Sequence, residues 1–145
     1  MSTLAATLAA TRAPAAPAGG PAPASFDAFL SALREPDTAA PVLSARRYVA
    51  ALNIDLQTLA DQAHVHRNTV ARAPQSASVQ QFLREAIRVI RAATDLSGDV
   101  QRALFWYRNE PLAVFDYQTA ETLVSAGRAD DVVRYVASLE AGAAG

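Results

Sequence analysis

The chain has no cysteine and no lysine, one methionine, one tryptophan and two histidines among its 145 residues. Without thiols, neither a disulfide framework nor a thiolate metal site is available, a usage that suits a reducing cytoplasm. All 13 basic residues are arginine, so any phosphate contact must use the planar, bidentate guanidinium. The histidines, His64 and His66, stand two apart in an expected turn. That spacing does not place both on one helical face, so no metal site is expected. No glycine-rich phosphate loop is present. These absences argue against an enzyme and imply no cofactor. No run is long and apolar enough to span a bilayer. The N-terminus lacks a basic region and is interrupted by Pro14 and Pro17, so it does not read as a signal peptide. Period-two alternation nowhere persists beyond a few residues, which predicts an all-α fold.

Hydrophobic residues make up 51% of the chain, but much of that is alanine, which buries little surface. The core must come from a short list of Leu, Val, Ile and aromatic side chains. Residues 1–24 are built from Ala, Pro, Thr and Gly around a single Arg12. They cannot bury enough to offset their ordering entropy. A disordered tail is expected there, with at most a short helix near Leu4–Leu8.

From residue 25 onward the pattern is helical. Ser25 caps a helix over Phe26–Arg34, striped by Phe26, Phe29, Leu30 and Leu33 and stopped by Pro36. Pro41 suits the start of the next, whose Val42, Ala45, Val49 and Leu52 face inward with Arg46 and Arg47 on the flank and Asn53 at the end. Asp55 is an N-cap candidate for a helix presenting Leu56, Leu59, Ala60 and Ala63. Val65 plugs a tight corner, and a second short helix opens with His66, Arg67, Asn68 and Thr69, with Val70 and Ala71 facing back toward Leu59. This is the outline of a helix-turn-helix. The start of its second helix enters the major groove, where Arg takes guanine and Asn takes adenine. The DNA-contacting set is therefore His66, Arg67, Asn68, Thr69 and Arg72, with Gln57, Arg46 and Arg47 flanking. Protonation of His66 would add positive charge toward DNA, although a histidine caps less well than a serine.

Pro74 closes that unit. Ser78 and Gln81 form a capping-box pattern for a helix to about Leu96, buried through Val79, Phe82, Leu83, Ala86, Ile87, Ile90 and Ala93. Arg84, Arg88 and Arg91 make a basic row on another side, either solvated or touching phosphate. Ser97-Gly98 breaks the helix. Val100, Ala103, Leu104 and Tyr107 stripe the next one, with Phe105 assigned to the core and Trp106 open between core and interface. Pro111 ends it, Thr119 caps a short helix through Leu123 and Val124, and Gly127 precedes a last helix over about Ala129–Ala141 that carries Val132, Val133, Val136 and Leu139. The expected organisation is a tail over 1–24, a helix-turn-helix domain with a leading helix over 25–96, and a small helical domain over 97–145.

Net charge is -1, unlike a dedicated nucleic-acid binder, but its distribution is uneven. Residues 42–72 hold four arginines against two aspartates, whereas residues 97–145 hold four arginines against seven acids. A basic middle and an acidic end suggest two jobs on one chain.

The second unit carries a family resemblance. Ala103-Leu-Phe-Trp106, Pro111-Leu112, Thr119-Ala-Glu-Thr-Leu123, Gly127, Val132-Val133, Leu139 and Gly142 resemble the C-terminal toxin-binding domain of the Xre/ParS/MbcA-type antitoxins, which also carry an Xre-like helix-turn-helix upstream. Leu112, Phe115 and Ala120 depart from the family's usual Asn, Gly and Pro in that loop. The resemblance implies a cytoplasmic type II antitoxin and transcription repressor. Its partner would be a RES-domain toxin that consumes NAD or uses it to modify a target, blocked at its active site. With the toxin, a dimer of the chain would repress its own operon. The resemblance places toxin contacts at Trp106, Arg108, Asn109, Glu110, Tyr117, Arg128, Arg134 and Glu140. Two other readings remain at this stage. One is a stand-alone regulator whose C-terminal helices dimerise or bind a ligand. The other is an adaptor in which the helix-turn-helix shape is only structural.

Overall fold

The computed structural model describes residues 25–36, 38 and 41–144. The tail over 1–24 and its short helix near Leu4–Leu8 lie outside the described residues. Within them the chain is helical and contains no strand, only two isolated antiparallel bridges, Arg34 to Leu43 and Leu112 to Gln118. The helices are α1 (Phe26–Leu33), α2 (Ala45–Leu52), α3 (Leu56–Ala63), α4 (Arg67–Arg72), α5 (Ala77–Ser97), α6 (Val100–Asn109), a 3-10 turn (Ala113–Phe115), α7 (Ala120–Ser125) and α8 (Ala129–Ala144). The all-α expectation holds.

Helix α5 is the axis of the molecule. At 21 residues it is long enough to meet α1, α2 and α3 on one side and α6, α7 and α8 on the other. Val79, Leu83, Ala86, Ile90 and Ala93 are all sealed from solvent. So is Val89, which the sequence stripe leaves out. A helix buried on two sides needs a wider apolar arc than a surface helix, and Val89 supplies it. The buried residues from Phe26 to Val136 form one continuous cluster, so the two units expected from the sequence share one core.

Caps set most boundaries. The side chains of Ser25, Asp55, Asp99 and Thr119 each accept from a backbone N–H in the first turn of α1, α3, α6 and α7, removing one orphan donor each. Gly98 (φ 80°) and Gly127 (φ 82°) hold left-handed positions that cost glycine little.

Several boundaries differ from the sequence reading. Helix α2 begins at Ala45 behind Ser44, whose Oγ accepts from Arg47 N at 3.2 Å, and not at Pro41. Val42 and Leu43 are extended instead, because Glu35 N donates to Val42 O and Ser44 N to Leu33 O. Buried Gln80 completes this arrangement. Its Oε1 accepts from Leu43 N at 3.0 Å, and its Nε2 donates to Leu43 O and to Pro74 O, both at 2.9 Å. The amide thus acts as a strand partner for Leu43. Helix α5 starts behind Ser76, so Ser78 lies inside the first turn and caps nothing. Ala71 faces solvent, leaving Val70 alone to face inward from α4. Helix α8 continues past Ala141 to Ala144.

On α6, Phe105 is not the core residue the sequence reading made it, and Trp106, left open there, takes the buried place. Trp106 is 2% exposed and Phe105 is 69% exposed. At 3.6 residues per turn, Phe105 lies about 150° from the centre of the Val100–Tyr107 stripe and Trp106 about 110°. The stripe widens toward Trp106, which is the nearer of the two.

Candidate nucleic-acid interface

The turn between α3 and α4 is built by three residues. His64 ends α3 in the left-handed region (φ 58°), and its Nε2 lies 2.7 Å from Ser125 O on α7. Val65 N donates to Ala60 O at 3.0 Å, turning the Val65 side chain against the core. His66 then caps α4: its Nδ1 accepts from Asn68 N at 3.1 Å. Histidine can serve here because an unprotonated ring nitrogen is an acceptor. Protonation of Nδ1 would remove that acceptor, so added charge on His66 would come at the expense of the cap. Behind the turn, Leu59 and Val70 are buried and hold α3 against α4.

This packing leaves the tip of α4 outside. His66, Arg67, Asn68 and Arg72 are exposed, and Thr69 is half-buried. Arg67 lies near enough to Asp55 to help lower its carboxyl pKa, though the hydrogen bonds from Thr58 are the larger cause. On the flank, Gln57 Nε2 donates to Asp61 Oδ1 at 2.9 Å. Arg46 is exposed and open. Arg47 is already engaged: its guanidinium donates to Ala32 O at 3.0 Å and Arg34 O at 3.3 Å, closing the C-terminus of α1.

The arginines divide sharply. Arg102, Arg108, Arg128 and Arg134 on the acidic half each face a carboxylate. The guanidinium groups of Arg46, Arg67 and Arg72 have no hydrogen bond, ion pair or ring contact among the described residues. Three of the expected DNA-contacting arginines are therefore free to engage a phosphate or a base edge.

The expected toxin contacts scatter. Trp106 is inside the core and presents no surface. Arg108 is half-buried, donating to Glu121 Oε2 and to Leu52 O, both at 3.1 Å. Asn109 Nδ2 donates to Phe105 O, and Glu110 ends α6 half-buried. Arg128 pairs with Asp131 and stacks 5.1 Å over the Phe115 ring. Arg134 reaches Asp131, and Glu140 is exposed. Tyr117 is 71% exposed and, like Asp116 before it, left-handed (φ 64° and 57°). Two successive non-glycine residues in that region carry strain, and the turn they make throws Tyr117 outward. Phe105, Val114 and Tyr117 are the large apolar residues this half exposes; the resemblance named only Tyr117. Phase on the helical wheel was the signal for Phe105, and Val114 had none.

Among the described residues no helix is long and apolar enough to cross a membrane. Compared with known proteins, the chain matches no family model, no curated sequence and no solved structure to a significant degree.

Proposed function

We propose that the chain is an antitoxin-type regulator that reads operator DNA through α4 and docks a protein toxin of the RES class through its acidic half. The observation that carries the DNA reading is the tip of α4. Arg67, Asn68 and Arg72 stand exposed, the arginines unpaired, on a helix pinned by Val70 against Leu59. A guanidinium and a carboxamide held this way suit base edges, and Arg46 adds a backbone contact. Exposed Phe105, Val114 and Tyr117 support the docking reading, since aromatic residues dominate interface energetics. The RES class rests on the sequence resemblance alone. A two-fold dimer on a palindromic site is the expected form.

The test has two arms. The first is a gel shift on the DNA upstream of its own gene, at several salt concentrations. Specific binding that weakens with salt and is lost in Arg67→Ala/Asn68→Ala supports the DNA role, and salt-insensitive or absent binding removes it. The second is co-expression with the product of the adjacent gene. Toxicity of that product relieved by the chain, and still relieved by the double variant, supports separate DNA and toxin surfaces. A harmless neighbour removes the antitoxin role.

A further inference from the structure

Between α1 and α5 lies a groove of about 410 Å³ that neither the proposed DNA surface nor the proposed docking surface uses. Its floor is Phe26, Leu30, Leu43 and Ile87, and its rim carries Arg34, Arg84 and Arg91. The volume lies in the range of small-ligand sites, which pair apolar walls with a few placed polar groups. The rim is cationic and, among the described residues, mostly uncompensated. Among the described residues, Arg84 touches the neutral Gln81, the Arg34 guanidinium meets no carboxylate, and Arg91 lies 5.5 Å over the Phe26 ring. Arg88, at the edge, is neutralised by Glu85 and Asp130.

We propose that this groove binds a single-tailed anionic amphiphile, its aliphatic tail on the Phe26–Ile87 floor and its carboxylate or phosphate head against Arg34, Arg84 and Arg91. Charge selects this occupant over the alternatives. Residues 1–24 contain Arg12 and no acid, so the chain's own tail offers the rim no counter-charge. A two-fold contact through the groove would set arginine against arginine, which disfavours a second copy. Nucleic acid would satisfy the rim but leave the apolar floor without a partner. An amphiphile satisfies both: the tail gains burial and the head gains charge-assisted, bidentate hydrogen bonds.

The test is calorimetric titration of the full chain with laurate, dodecyl phosphate, dodecanol and dodecyltrimethylammonium, each below its micellar concentration. Saturable binding of laurate or dodecyl phosphate at one site per chain is expected, with dodecanol at least about 10-fold weaker, the loss of a charge-assisted hydrogen bond, and no binding of the cation. Arg84→Glu, at an exposed position, should weaken the anionic probe by a similar factor. Leu30→Trp, which fills the groove with a larger apolar side chain, should abolish uptake while the helical circular dichroism stays unchanged. Equal binding of all four probes, non-saturating uptake, or laurate affinity indifferent to both variants overturns the proposal. So does absence of anion binding accompanied by a dimer, or a DNA complex, that Arg84→Glu disrupts. The groove reading stands or falls independently of the DNA and toxin roles.

Discussion

The guanidinium of Arg108 on α6 donates to the backbone carbonyl of Leu52 at the end of α2, 3.1 Å away and 56 positions back in the chain. The same side chain pairs with Glu121 on α7. One arginine thus ties the acidic half to the helix that leads into the α3–α4 unit. Ser125 makes a second tie, donating to Gln62 O at 2.8 Å while its own carbonyl meets His64. The acidic half therefore shares polar contacts with α2 and with the α3–α4 turn.

Arg108→Ala should therefore act on stability before it acts on any partner. It strands Glu121, whose side chain is only 11% exposed, and frees the Leu52 carbonyl. Breaking a buried ion pair from one side is strongly destabilising, and the partial exposure of Arg108 moderates this to about 2 kcal/mol. Urea denaturation reads it; an unchanged midpoint would refute the tie. Arg108→Ala/Glu121→Ala should recover part of the loss.

The aromatic pair on α6 gives a sharper contrast. Trp106→Ala opens a large cavity and should cost about 3–5 kcal/mol. Trp106→Phe should cost far less, because the buried indole N–H has no hydrogen-bond partner and its removal relieves an unsatisfied donor. Phe105→Ala should leave stability within about 0.5 kcal/mol and weaken the partner complex instead. Thermal melts of all three variants, with pull-down of the partner, decide it. A destabilised Phe105→Ala would return that ring to the core.

Much of the scaffold was legible in one sequence because it is local. The cap residues Ser25, Asp55 and Thr119, the apolar stripe of α5 and the stop at Ser97-Gly98 are written within a turn or two of where they act. What failed depends on partners far along the chain. Nothing near Pro41 announces that Gln80 will hold Leu43 extended. Nothing near Arg47 or Arg108 shows that distant carbonyls already occupy them. At the candidate site, local chemistry picked out an exposed α4 tip. The groove between α1 and α5 needs two elements about 50 residues apart to come together, and no spacing rule reveals it.

Arg46 and Arg47 are adjacent in sequence and should behave differently. Arg46 is free, so Arg46→Ala should weaken DNA binding across all sequences and lower the slope of log affinity against log salt by about 0.9, one phosphate contact. Arg47→Ala should instead destabilise the α1–α2 junction, because the Ala32 and Arg34 carbonyls lose their donor. A salt titration alongside a melt separates the two; equal slopes for both variants would contradict the assignment.

The α4 cap is testable by exchange of one residue. His66→Ser keeps a side-chain acceptor and should preserve DNA affinity. His66→Ala removes it and should fray α4, at a cost of about 1 kcal/mol, with weaker DNA binding. Amide hydrogen exchange at Asn68 and Thr69 reports the fraying directly. Identical protection in both variants would mean that Nδ1 caps nothing.

Tyr48 and Tyr107 give the molecule an alkaline limit. Both rings are sealed, and burial raises both hydroxyls well above the ordinary 10.0; Tyr48 and then Glu121 add to the rise at Tyr107, while at Tyr48 the contact with Tyr107 and the Arg108 charge offset part of it. Above pH 10 the unfolded chain releases these protons while the folded chain keeps them. The native state then binds more protons, and stability falls as pH rises. Their contribution is complete below pH 10 and is lost through the range above it, by about 1.4 kcal/mol per pH unit for each tyrosine. Tyr135, half-buried and shifted in the same direction by burial, adds a smaller part. Phenolate absorbance should therefore rise for Tyr48 and Tyr107 only together with loss of the helical signal. Tyr48→Phe/Tyr107→Phe should flatten the alkaline slope of the urea midpoint. Phenolate formation at both positions in a chain that stays folded would show that these rings reach water, and the sealed centre around α5 would have to be redrawn.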